Sequence, residues 1–347
     1  MNTQRIGIAI IAISITSILI LLTAYIITAF PAGAENTENA AIPAGAENTE
    51  NAALHAGSEN TQPENTQAES TFIHPHFTFT RESLTARVQN TLHILSAHIL
   101  RSDREKIIGA IEQKPEVFLE YLSIMLQEPD QILFALVDKE HALPHDYEPP
   151  DLVELDEYPE LELNKAGMQL RWKMMSPLID MSESAREEGI VLRISSAYRA
   201  YTYQAGLFER HVSELGLQEA QRVSARAGTS QHQLGLTVDF GSITPQFADH
   251  PAGIWLAENG GGFGFSLSYP PNYEETTGYS YEPWHFRYLG KDVLNLQKEF
   301  FADIQQYLLL FYHQTYETLR ESFFICKTFS KMRECSAMNM LNPHWRH

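Results

Sequence analysis

Cysteine is nearly absent from this chain: Cys326 and Cys335 are the two among 347 residues. That excludes a disulfide-built scaffold and a site made of several thiolates, zinc or iron–sulfur. Positive charge is also scarce. Twenty-five Lys and Arg stand against 44 Asp and Glu, a formal net charge of −19. A nucleic-acid binder needs a basic face to neutralise phosphates, so no nucleic-acid partner is expected. Docking on anionic lipid through surface charge is excluded on the same ground. No Gly-x-Ser-x-Gly elbow is present, which argues against a serine peptidase. Between Arg5 and Arg81 there is no Lys or Arg, and residues 31–66 contain no aromatic side chain.

Long apolar runs are confined to one place. Residues 6–30, IGIAIIAISITSILILLTAYIITAF, carry no charge. As a helix rising ~1.5 Å per residue they would cross a hydrocarbon core of ~30 Å with some tilt. Arg5 precedes the run, so the positive-inside rule keeps the N-terminus cytoplasmic and sends the rest out. Two readings stand. The run is longer than the ~7–15 residues usual in a cleaved signal, which favours a membrane anchor, while Ala32-Gly33-Ala34 has the form of a cleavage site. Either makes the rest of the chain extracytoplasmic, on the periplasmic or cell-wall side. A 12-residue repeat follows, PAGAENTENAAI, PAGAENTENAAL and the worn HAGSENTQPENT. Its composition offers little to bury, so residues 31–75 are expected to form a disordered spacer.

Residues 76–130 are expected to be a helical extension. Leu84, Val88, Leu92 and Leu95 recur at helical steps, as do Ile107, Ile108 and Ile111, and Pro115 suits the start of a further helix. His93 and His98 read as ordinary helix-face residues. Residues 138–162 hold ten acidic residues and four prolines and read as an irregular, solvated stretch. Residues 166–188 return to helical spacing, with Met168, Trp172, Met175, Ile179 and Ala185 on a core-facing side and Gly189 as the stop. Strands are expected over 190–195, 234–240 and 284–288, a helix over 201–215, and a helical segment over 291–316, with residues 301–347 as a C-terminal tail. Helices and separate strands without a βαβ repeat indicate an α+β fold.

Three stretches carry chemistry. They are Ser195-Ser196-Ala197-Tyr198-Arg199-Ala200-Tyr201 with Gln204, then Ser230-Gln231-His232-Gln233-Leu234-Gly235-Leu236-Thr237-Val238-Asp239, then Tyr281-Glu282-Pro283-Trp284-His285-Phe286-Arg287-Tyr288. A hydrolytic zinc site needs three protein ligands and one open position, and imidazole and carboxylate are common ligands. His232, Asp239 and His285 would supply two nitrogens and one oxygen. Gly235 lets the chain turn after His232, and a strand would then return Asp239 to the same centre. Glu282, three residues before His285, would stand beside the metal as the base that takes a proton from the activated water.

Together the stretches resemble the VanY-type D-alanyl-D-alanine carboxypeptidases, zinc peptidases of bacterial cell walls related to the hedgehog- and lysostaphin-like group. The family pattern S-G-Y-R-S-x-x-x-Q, S-x-H-x-x-G-x-x-x-D and E-P-W-H-x-R-Y is matched at Ser196–Gln204, Ser230–Asp239 and Glu282–Tyr288, and the likeness runs from about Leu133 to about Phe300. It implies a domain over 131–300 with a small antiparallel sheet and flanking helices. It implies Zn2+ on His232, Asp239 and His285, with Glu282 as general base and then acid. Arg199 would face the scissile carbonyl or the substrate carboxylate. Gln204 and Ser230 would be polar contacts to the peptide terminus, joined by Tyr198 and Trp284 in the same motifs. Departures are Ala197 for glycine, Ala200 for serine, Ala227 for proline, Gly260-Gly261-Gly262 for larger residues, and Ser268 where arginine is common. None removes a ligand or the base. The implied partners are peptidoglycan stem peptides or their precursors and, through residues 6–30, the membrane; a monomer is expected. The implied reaction is hydrolysis of the terminal D-Ala. An LD-carboxypeptidase, a D,D-dipeptidase and a non-catalytic zinc-containing wall-binding module stay open as alternatives.

Overall fold

The computed structural model describes residues 71–74 and 77–320. The apolar run 6–30, the repeat and both cysteines lie outside the described residues. Among the described residues no helix is long and apolar enough to cross a membrane. All of them fall in one compact unit.

The described residues open with an antiparallel hairpin of β1 (Thr71–His74) and β2 (Phe77–Thr80). Residues 71–74, expected within the spacer, and 77–80, expected to be helical, are strands instead. Three helices follow, α1 (Arg81–Ile94), α2 (Arg101–Gln113) and α3 (Pro115–Gln127). Pro115 occupies the first turn of α3, where its missing N–H costs nothing. Val88, Leu92, Ile107, Ile111, Phe118 and Leu122 are buried, as their spacing requires.

The acidic stretch is less irregular than expected. It contains β3 (Leu152–Glu154) and leads into β4 (Glu162–Leu163), with Leu155 and Leu161 buried. The helix expected over 166–188 is shorter. Residues Gln169–Arg171 form β5, paired antiparallel with β3, and α4 covers Met175–Glu187. Arg171 explains the difference. Its guanidinium reaches Asp130 and Asp151, each at 2.6 Å, and its backbone N–H donates to the Gly235 carbonyl. These long-range bonds outweigh local helical spacing. Trp172, read as core, is 63% exposed at the turn between β5 and α4.

Next come β6 (Arg193–Ser196), α5 (Tyr201–Leu215), α6 (Leu217–Val223) and β7 (Thr237–Phe240), then α7 (Pro251–Asn259), β8 (Phe265–Leu267), α8 (Glu274–Thr277), β9 (His285–Tyr288) and α9 (Lys291–Phe300). The five-stranded sheet has the order β4-β6-β7-β9-β8. Its pairs are antiparallel except β4 with β6, which is parallel. The expected all-antiparallel sheet is therefore mixed at one edge.

The expected single segment 291–316 is broken. Ala302 and Asp303 adopt positive φ of 54° and 59°. A final helix, α10, then runs over 305–320 of the described residues. Within it Tyr307, Leu308, Leu309 and Phe311 are buried. Phe118 of α3 packs its ring 5.3 Å from Phe300 and 6.1 Å from Phe311. The N-terminal helices and α10 thus share one core with the sheet domain. Replacing Phe118 by Ala should cost about 3–5 kcal/mol. Urea unfolding followed by the buried Trp255 and Trp284 should show the whole loss. An unmoved transition would mean that the helices fold apart from the sheet.

Candidate metal centre

Strand register brings the first two residues together. β7 and β9 pair antiparallel with Asp239 directly opposite His285. Directly opposed side chains on one face have Cβ atoms about 4.5–5.5 Å apart. His232 comes from a single 3-10 turn, Gln231–Leu234, just before β7. Ser230 caps that turn, its Oγ accepting from the His232 N–H at 3.3 Å. Gly235 ends it with φ 67°. A Cβ there would lie 2.9 Å from Arg171 Cγ and 3.0 Å from a Leu152 methyl, so glycine is required on conformational and packing grounds.

His232, Asp239 and His285 offer ligand atoms within 4.8 Å of one another, all buried. His232 Nε2 lies 3.2 Å from Asp239 Oδ2, and His285 Nδ1 lies 3.3 Å from Asp239 Oδ1. These separations exceed the ~2.7–2.9 Å of a charge-assisted hydrogen bond. Each is close to the roughly 3.3–3.4 Å that bonds of ~2.0–2.1 Å put between ligands of a tetrahedral ion, the two running to different oxygens of Asp239. His232 Nε2 and Asp239 Oδ1 are buried with no hydrogen-bond partner. Orphaned buried acceptors are costly unless something else satisfies them, and a divalent cation is the group that fits both.

The tautomers agree. His232 Nδ1 is 2.7 Å from the Ala197 carbonyl, which can only accept. Nδ1 therefore carries the proton and Nε2 turns a lone pair to the centre. A carbonyl is free there because β6 is irregular between Ile194 and Ser196 and then leaves the sheet. Burial, reinforced by the nearby Arg199 charge, pushes His232 down to about 4, so it is a neutral ligand.

Glu282 stands beside this cluster, 9% exposed, with Oε2 3.3 Å from His285 Nδ1. Burial pushes its carboxyl up, against the opposing pull of His285. Arg199 reaches the same point, with Nη2 3.8 Å from Asp239 Oδ2 and Nε unpartnered. Both line a cavity with Asp239 and His285. Of the other expected site residues, Gln204, Ser230 and Trp284 line it as well. Gln204 is anchored by Nε2 to the Ala225 carbonyl at 2.7 Å, while its Oε1 is buried and unpartnered. Tyr198 is not among the lining residues. Its ring is half-buried near Glu148, because neighbouring residues leaving a strand end face opposite sides and Arg199 takes the cavity side.

The structure adds residues that motif reading missed. Tyr269 places its ring 4.7 Å from that of His285, and Tyr279, His211 and Lys165 line the cavity. The Gln231 Oε1 lies 3.3 Å from His285 Nε2. Gln231, Tyr269 and Tyr279 sit in or beside stretches that resemble the family, at positions given no role; His211 and Lys165 carried no signal.

Two imidazoles and a carboxylate round one buried point, with a second carboxylate next to it, define a metal-dependent hydrolase. The profile of VanY, described as D-alanyl-D-alanine carboxypeptidase, matches residues 167–291. A Bacillus subtilis (strain 168) protein provisionally named carboxypeptidase YodJ is 36% identical over 188 residues, 52% of this chain and 68% of that protein. The Enterococcus gallinarum protein named bifunctional D-Ala-D-Ala dipeptidase and D-Ala-D-Ala carboxypeptidase VanXYC is 32% identical over 189 residues, 50% of this chain and 93% of that one. A solved structure of the LD-carboxypeptidase LdcB is 34% identical, covers 51% of this chain and 89% of its own, and superposes with a TM-score of 0.45. The chain belongs to the VanY family of D-alanyl-D-alanine carboxypeptidases.

Zinc at a thousand times its Kd should stabilise the protein by about 4 kcal/mol. Calorimetry should show EDTA removing that gain and Asp239→Ala abolishing it. A wild-type melting temperature indifferent to zinc would refute the metal centre.

Proposed function

We propose that this protein is a zinc-dependent carboxypeptidase that removes the terminal D-alanine from peptidoglycan stem peptides. The observation that carries the reading is the buried trio of His232, Asp239 and His285, in which His232 Nε2 and Asp239 Oδ1 lack hydrogen-bond partners, with Glu282 at its edge. Zinc held by those three residues would supply a Lewis acid that polarises the scissile carbonyl and makes water acidic enough to ionise near neutral pH.

The chain's own residues do the rest. Glu282 takes the proton as water adds to the carbonyl carbon. It then delivers that proton to the nitrogen of the departing D-alanine as the C–N bond breaks. Its burial, which favours the protonated form, suits a group that must hold a proton between these steps. Arg199 directs a planar fork of donors into the cavity, where it meets the developing oxyanion or the terminal carboxylate. Gln204 Oε1, lacking a protein donor, accepts from the substrate backbone, with the Ser230 hydroxyl and Trp284 forming the adjacent wall. The cavity is thus polar at the reacting end, as a peptide terminus with a carboxylate demands.

The site acts outside the cytoplasm under this reading, with residues 6–30 as membrane anchor or cleaved signal and the repeat as spacer. The acidic net charge supports a partner other than nucleic acid, and the protein works as a monomer.

Glu282→Gln should keep its zinc and lose about 10²–10⁴-fold in kcat on a pentapeptide ending in D-Ala-D-Ala. Release of D-alanine, measured on penta- and tetrapeptides side by side, identifies the bond cut. Full activity in that variant would overturn the assigned base, and release from the tetrapeptide alone would overturn the D,D assignment.

A further inference from the structure

We propose that Gln305, at the start of α10, is a positioning residue for the metal centre, acting through Gln231 to dictate which nitrogen of His285 carries the proton. The proposal rests on the metal site of the preceding reading but not on its substrate.

Three buried polar side chains form a closed ring beneath His285. Ser268 Oγ donates to Gln231 Oε1 at 2.7 Å, Gln231 Nε2 donates to Gln305 Oε1 at 3.1 Å, and Gln305 Nε2 donates to Ser268 Oγ at 3.2 Å. Exposure is 2% for Ser268 and Gln231 and 1% for Gln305. In so dry a place each donor must meet an acceptor, so the ring has one sense of rotation.

A backbone group sets that sense. Gln305 Nε2 also lies 3.4 Å from the Ser266 carbonyl of β8. A carbonyl only accepts, so the amide NH2 of Gln305 faces Ser266 and Ser268 and its oxygen faces Gln231. Gln231 must then present its own NH2 to Gln305. Its oxygen is left for Ser268 and for His285 Nε2, 3.3 Å away. His285 therefore carries its proton on Nε2, and Nδ1 keeps a lone pair facing Asp239 and Glu282.

The two imidazoles are thus oriented by different means. His232 leans directly on the Ala197 carbonyl, while His285 depends on a side-chain relay that ends in α10. Gln305 lies outside residues 167–291, which match the family profile. Local structure is arranged to deliver it. The positive-φ pair Ala302 and Asp303 breaks the helix ahead of Gln305, and Gln297 Nε2 holds that bend through the Asp303 carbonyl and carboxylate at 3.3 and 3.1 Å. Ser266 Oγ donates to Gln297 Oε1 at 2.9 Å, tying the bend to β8.

The test uses the full chain, with zinc alone as the probe. Zinc affinity is measured by chelator competition. The protonated nitrogen of His285 is read from 15N spectra of histidine-labelled, metal-free protein. Gln305→Leu and Gln231→Leu should each weaken zinc binding by about 10–100-fold, the usual effect of losing a group that orients a ligand. Each should also leave the His285 ring a mixture of tautomers. The double variant should lose no more than Gln231→Leu, because both act along one path. Ser268→Ala, which adds no bulk, should shift affinity and tautomer in the same direction by a smaller factor and serves if Gln305→Leu does not fold. Unchanged affinity and an unchanged Nε2-H signal in Ser268→Ala and the folded Leu variants would overturn the relay, as would additive losses. Hydrolysis assays keep the two readings apart: loss of zinc affinity without peptide turnover by the wild type supports the relay and sinks the substrate, and turnover with unperturbed affinity does the reverse.

Discussion

The site depends on one register. Asp239 and His285 face each other across the β7–β9 pair, and a slip of one residue in either strand would turn that strand's ligand to the opposite face of the sheet, away from the other. That pairing places a carboxylate and an imidazole at fixed separation in a buried layer before any ion binds. Everything else is brought to that pair: His232 by the short turn preceding β7, Glu282 by the residues leading into β9, Arg199 by the chain leaving β6. Because β6, β7 and β9 are neighbours in the sheet, the three motifs converge although up to about ninety residues separate them in sequence.

Burial makes this arrangement consequential. Asp239, His232, His285 and Glu282 are all withdrawn from water. Two carboxylates in such a place need a positive counterpart, and His232, pushed down to about 4 by burial, serves better as a neutral donor than as a cation. A divalent ion resolves both demands at once. The low dielectric that makes orphaned His232 Nε2 and Asp239 Oδ1 costly is the same property that strengthens the field on a bound carbonyl.

Much of the site was legible in the sequence, since its ligands lie in dense local patterns of chemistry-bearing residues. The helix over 201–215 was legible too, because local periodicity and its tertiary role agree. Elsewhere they conflict. Residues 169–171 have helical neighbours but become a strand because Arg171 is claimed by Asp130, Asp151 and Gly235. Trp172 follows that strand and faces water. The helix expected to run from 291 is interrupted at Ala302 and Asp303, residues with no glycine-like signature, where Gln297 and β8 hold an unusual backbone. Tyr198 sits in a motif with Arg199, yet only one of two adjacent side chains can enter the cavity.

The sequence alone supplied the donor set: imidazole, carboxylate and guanidinium types at spacings that suit one metal ion, in a chain with only two cysteines. Local spacing suffices for that, since donor type is a property of the residue itself. Only the tertiary structure decided orientation. Which nitrogen of each histidine faces the centre follows from a carbonyl at Ala197 and a glutamine from α10, groups 35 and 20 residues from their histidines. A hydrogen bond's direction is set by what its partner can accept, and the partner is chosen by packing, not by neighbours along the chain.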